Sequence, residues 1–186
     1  MSKNKANMNR IITHCLPKLV ITLGLASISV FVNTGICEQI VFAKSINVKK
    51  CEISAYVTDP DPQGLNVRNG ASLRHKILGQ VPINETVQII ATTKNWVKIT
   101  NASAGFSGTG WVSVAKLGLS SRGYSTNGVH LYASANQQSF KIAKVPANAT
   151  MKLLGCQGDW AQVEYQGSKG WLVKEDQCGA ALTTCS

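Results

Sequence analysis

Acidic residues are scarce: 9 Asp and Glu stand against 19 Lys and Arg in 186 residues, a net charge of +10. Charge of either sign reaches only 15% beside 44% apolar residues, which excludes an intrinsically disordered chain. Long apolar runs are missing apart from Leu19–Val32, which excludes a polytopic membrane protein. No Cys-x-x-Cys pair occurs, and His75 and His130 are distant from any close cysteine pair, so neither a metal nor a redox cofactor is read. Aromatics are modest at 6%, and no helical period of useful length follows residue 43. Together with 16 glycines, this points to short strands and many turns and argues against a large enzyme with a deep cleft.

The N-terminus reads as an address. Residues 3–18 are basic, the uncharged run follows, and Val41-Phe42-Ala43 offers suitable residues for cleavage after Ala43. Cleavage after Gly35 and an uncleaved anchor are the competing readings, and Ile36 is too bulky to precede a lipidated Cys37. Residues 1–43 are therefore expected to be a signal peptide, with no stable membrane span after cleavage. They carry four cations against Glu38, +3 of the +10, which leaves +7 on the remainder. Such an excess attracts polyanions or simply aids solubility; no basic run interleaved with aromatics supports nucleic acid as a partner.

Removing the signal leaves Cys51, Cys156, Cys178 and Cys185, an even number that reads as two disulfides in an exported chain. Three connectivities are open. Cys156 and Cys178 bracket one hairpin-rich segment, so Cys156–Cys178 with Cys51–Cys185 is expected first, and Cys51–Cys178 is an alternative.

The most informative feature is an internal repeat. Val67 and Leu131, Val81-Pro82 and Val145-Pro146, Asn84 and Asn148, and Trp96 and Trp160 are each 64 positions apart. Gly110-Trp111 and Gly170-Trp171 are 60 apart, so the first copy carries four extra residues around 101–108. Asn84 and Asn148 fall at turns that want a positive φ. Alternation puts Val97, Ile99 and Val163 in the cores and Trp96 and Trp160 on the opposite, partly exposed faces. The chain is a tandem duplication of short-stranded units, and the expected fold class is all-β, with two small barrels.

LNVRNGASLRHKILGQV, TVQII, NWVKI and GTGWV resemble the bacterial SH3-like (SH3b) module, over Val57–Leu119. The second copy, Gly128–Cys178, keeps KIAKV, GDWAQVEY and GSKGWL but lacks counterparts of Arg68 and Gly70. Family copies often carry a second Cys just after the Trp, a place held here by Ala161. The resemblance implies two SH3-like barrels in tandem after the signal segment. The expected boundaries are an N-terminal segment 44–52, a first barrel 53–119, a linker 120–127, a second barrel 128–178 and a tail 179–186. It also implies binding of cell-wall peptides or other envelope polymers, or a targeting or scaffolding role.

Three functions follow as expectations. The first is a noncatalytic envelope-binding protein, periplasmic or extracellular, recognising peptidoglycan or another anionic envelope polymer. Its candidate contacts are Tyr56, Arg68, Trp96, Phe106 and Trp111 in copy one, and Tyr132, Phe140, Trp160 and Trp171 in copy two. Binding is expected to rest mainly on copy one, where Arg68 offers a planar fork for carboxylates and Trp96 a wall beside it. The second is an adaptor for another exported protein. The third is a hydrolase or hydrolase accessory, through Cys51 with His75 or His130, or through Asp59 and Asp61. A disulfide-bonded Cys51 has no thiolate, and Pro60 and Pro62 make the acidic pair a rigid turn. Neither catalytic residues nor metal ligands are assigned.

Overall fold

Val97 and Ile99 alternate with Trp96 and Lys98, and this period of two repeats along the strands of the chain. A computed structural model describes residues 47–182 and Cys185. The expected signal segment lies outside the described residues, as do residues 44–46. Among the described residues no helix is long and apolar enough to cross a membrane.

Among the described residues thirteen strands carry nearly all the regular structure. Copy one comprises β1 (Lys49–Val57), β2 (Leu65–Arg68), β3 (Ile77–Val81), β4 (Thr86–Thr93), β5 (Trp96–Thr100) and β6 (Gly110–Ser113). A 3-10 turn, Val114–Lys116, leads into β7 (Leu117–Ser121). Copy two continues with β8 (Val129–Tyr132), β9 (Lys141–Val145), β10 (Thr150–Gln157), β11 (Trp160–Tyr165) and β12 (Ser168–Leu172). A second 3-10 turn, Lys174–Asp176, precedes β13 (Gln177–Cys178).

β7 joins the copies. It pairs with β1 through Leu117 and Gly118, with β10 through Gly118, Leu119 and Ser120, and with β13 through Ser120 and Ser121. The register explains the joint. β13 meets β7 as β7 meets β1: Tyr56 pairs with Gly118, and their counterparts, 64 and 60 residues on, are Ser120 and Cys178, which also pair. The strand that ends copy one therefore also begins copy two.

This corrects the expectation of two closed barrels. The strands form one hydrogen-bonded sheet in the order β3-β2-β6-β5-β4-β1-β7-β10-β11-β12-β8-β9, with β13 on β7. Among the described residues β3 pairs only with β2 and β9 only with β8, so the ladder ends there instead of closing. In copy one the extra residues lie against that edge: a Cβ on Gly105 would come 2.7 Å from the Gln80 carbonyl oxygen, and Phe106 covers Gly79.

The inward residues form one cluster. Val67, Val81, Val87, Ile89 and Ile99 are fully buried in copy one, as are their counterparts Leu131, Val145, Met151, Leu153 and Val163. Leu117 and Leu119 of β7 belong to the same cluster, so the strand is shared in packing as well as in hydrogen bonding. Each such side chain contributes about 1.5–3 kcal/mol on burial.

Turns repeat at the same offset. Asn84 has φ 67° and Asn148 φ 58°, as the turns require. Gly64 and Gly128 sit at φ 87° and 113°, where a Cβ would lie 2.6 and 2.5 Å from the carbonyl oxygens of Val81 and Val145. Only glycine fits both the conformation and the close approach.

All four expected cysteines are disulfide-bonded, but the pairing differs from the expectation. Cys51 bonds Cys156, and Cys178 bonds Cys185. The start of β1 runs beside the turn after β10, where Glu52 N–H donates to the Gly158 carbonyl at 2.7 Å, so Cys51 meets Cys156. Cys178 instead closes a short loop with the cysteine seven residues on.

Candidate functional site

Directly opposed residues of an antiparallel pair point to the same face, so strand register places the outward side chains. On β6, Gly110 and Val112 are buried, and Trp111 points outward between them, half-buried. Trp111 is flanked by Arg68 of β2 and Lys98 of β5. On β12, Trp171 lies likewise between buried Gly170 and Leu172, flanked by Tyr132 of β8 and Gln162 of β11. Trp96 and Trp160 share these faces one step along their strands, opposite Ser113 and Gln157.

The two rows are equivalent in position and different in chemistry. Copy one presents a cation on either side of its Trp. Copy two presents a phenol and an amide. There the Tyr132 and Trp160 rings meet edge to face, with centroids 5.7 Å apart and planes at 89°. Below that row Lys169 Nζ pairs with Glu164 Oε2 at 3.7 Å.

The other candidates fall elsewhere. Tyr56 is buried at the seam between copies, its ring over Gly118 and its hydroxyl 3.1 Å from Ser120 Oγ. Phe106 is half-buried against Gly79, on the inserted segment of copy one. Phe140 is 87% exposed at the end of the loop after β8. Thus Arg68, Trp96 and Trp111 come together, as do Tyr132, Trp160 and Trp171, whereas Tyr56, Phe106 and Phe140 join neither row.

Arg68 has a task of its own. Its Nη1 donates to the carbonyls of Leu73 at 3.1 Å and His75 at 2.9 Å, fastening the loop 69–76 onto β2. Gly70 makes room for the same loop, since a Cβ there would lie 2.5 Å from the His75 imidazole. In copy two, Tyr132, Ser134 and Ser139 stand at the places of Arg68, Gly70 and His75. Ser139 Oγ instead bonds within the loop, its one proton shared between the carbonyls of Asn136 at 2.8 Å and Ser134 at 3.2 Å. The degenerate opening of copy two therefore closes its loop on itself, where copy one ties its loop to the strand.

Lys98 and Gln162 are not among the contacts expected from sequence. Alternation marks both as outward, but only the register shows that each stands beside a Trp of the next strand. Among the described residues, no three His, Cys, Asp or Glu side chains come together in a metal-binding group.

Residues 63–117 and 127–176 each match the family model described as the bacterial SH3 domain. The chain is 31% identical over 135 residues to a Bacillus subtilis (strain 168) protein named as an N-acetylmuramoyl-L-alanine amidase, YrvJ. The match covers 62% of this chain and 25% of that protein, so the chain spans about a quarter of the relative's length. Among solved structures it is similar to NlpC1 and NlpC2 from Trichomonas vaginalis, each 15% identical, with TM-scores of 0.30 and 0.29. Each similarity covers 68% of this chain and 45% or 48% of the other, and at those TM-scores it carries nothing about function.

Proposed function

The chain belongs to the bacterial SH3 domain family, and from that membership we propose that it is an exported, noncatalytic protein that binds a peptidoglycan-type polymer of the cell envelope. The observation that carries this reading is the outward Trp at the same register in both copies, Trp111 and Trp171, each bordered by side chains capable of hydrogen bonding. A half-buried indole gives apolar contact area with little side-chain entropy to lose, and its neighbours fix the orientation of a ligand.

The relative's name supports the choice of polymer, since it specifies the N-acetylmuramoyl–L-alanine bond of the cell wall. Two disulfides support an oxidising compartment outside the cytoplasm. Cys51 is bonded to Cys156, which removes the thiolate that a Cys–His hydrolase needs and supports a binding role over a catalytic one.

Co-sedimentation of the full chain with purified sacculi, at low and high salt, tests the reading. The expected result is recovery in the pellet without release of soluble wall fragments. Failure to pellet would overturn it, and release of fragments would make the protein a hydrolase. Capture of one defined exported protein without sacculus binding would favour the adaptor reading.

A further inference from the structure

The duplication supplies an internal comparison. Between equivalent rows, Trp is kept at positions 111 and 171 and again at 96 and 160, while both cations beside it are replaced. Arg68 becomes Tyr132, and Lys98 becomes Gln162. The replacements are not apolar. A phenolic hydroxyl and a carboxamide retain hydrogen-bonding capacity without charge.

From this we infer that the face of copy two is a site for an uncharged sugar ring of an envelope glycan, whereas copy one meets the charged part of the polymer. This rests on the reading of the chain as an envelope-polymer binder and names which part of that polymer each copy takes.

Three observations carry it. The Tyr132 ring stands edge-on to Trp160, at 89°, and so makes an aromatic corner beside Trp171 in which two ring planes differ in direction. A pyranose ring has an apolar C–H face that stacks on an indole and a rim of hydroxyls that bond to neutral donors and acceptors. Tyr132 and Gln162 flank Trp171 as such a rim requires. The charges next along β11 and β12, Glu164 and Lys169, pair with each other at 3.7 Å, and Lys152 of β10 stands exposed on the far side of Glu164. Lys141, opposite Tyr132, and Lys144, opposite His130, are exposed on the free edge strand β9 at the margin of the face, where salt screens them.

The test is titration of the full chain with chitotetraose, a neutral oligosaccharide of N-acetylglucosamine, followed by intrinsic fluorescence at low and high salt. Binding is expected to be nearly salt-independent. Trp171→Ala should weaken it about tenfold, and by more than Trp111→Ala does. The double variant Tyr132→Arg/Gln162→Lys, which gives copy two the residues of copy one, should lose chitotetraose while remaining folded by circular dichroism. If the parent binds sacculi but not chitotetraose, the sugar assignment falls and the envelope reading stands. Failure to bind sacculi would overturn that reading itself. Binding lost equally in Trp111→Ala, or abolished by salt, would also contradict the assignment.

Discussion

At the scale of single residues, Arg68 shows how a side chain chosen for its charge can be held for its geometry. A guanidinium suits carboxylates, and the opening LNVRNG puts Arg68 on the outer face beside Trp111. Yet Nη1 already donates to two loop carbonyls, so the first consequence of its removal is local. We expect Arg68→Ala to accelerate amide exchange across residues 69–76 while shifting the global stability by no more than about 1–2 kcal/mol. Hydrogen-exchange mass spectrometry checks this, and unchanged exchange in that loop would show that the bonds do not hold it. Loss of sacculus binding in the same variant would then report the loop as well as the charge. The outward placing of Trp96 and Trp160, and the positive φ of Asn84 and Asn148, were both legible from alternation and turn chemistry. The fastening bonds were not, because they join side chains to carbonyls whose position only the folded loop defines.

At the scale of elements, β7 explains why the duplication does not yield two independent barrels. It offers one side to β10 and divides the other between β1 and β13, and its Leu117 and Leu119 fill the common core. A fragment beginning at Ser125 contains β8 to β13 but lacks the strand on which β10 and β13 assemble. We expect that fragment to show no cooperative unfolding, and full-length Leu119→Ala to lose about 2–5 kcal/mol in a single transition for both copies. A stably folded 125–186 fragment, or two separate melting transitions, would contradict this. The fixed offset of 64 residues made the repeat visible in the sequence. It did not reveal the sharing of β7, because LGLSS carries alternation suited to either copy. Closure was equally hidden, since a strand pattern specifies faces and leaves edges unspecified.

For the whole molecule, the two disulfides act over different ranges. Cys51–Cys156 closes a loop with a sequence separation of 105 and ties the first strand of copy one to copy two. Cys178–Cys185 spans only 7 and secures the last strand against the segment that follows it. Chain-entropy reasoning then ranks the long loop first, with about 2–5 kcal/mol expected from Cys51→Ala/Cys156→Ala and less from Cys178→Ala/Cys185→Ala. Denaturant titration of the two double variants checks the order, and the reverse order would contradict it. That all four cysteines are bonded was legible. Connectivity was not, because it depends on β1 running beside the turn after β10, a contact between copies that no local pattern records.

The same scale holds the central claim, that two equivalent outward Trp faces on one shared sheet bind the cell wall. Sacculus co-sedimentation of Trp111→Ala/Trp171→Ala beside the parent tests it most directly. Both side chains are half-buried on the outer face, so the double variant should keep its strand circular dichroism. The account predicts that the folded variant loses most of the binding, more than about thirtyfold in affinity if each Trp contributes as a central aromatic contact does. Pelleting of the folded variant with the affinity of the parent would contradict it.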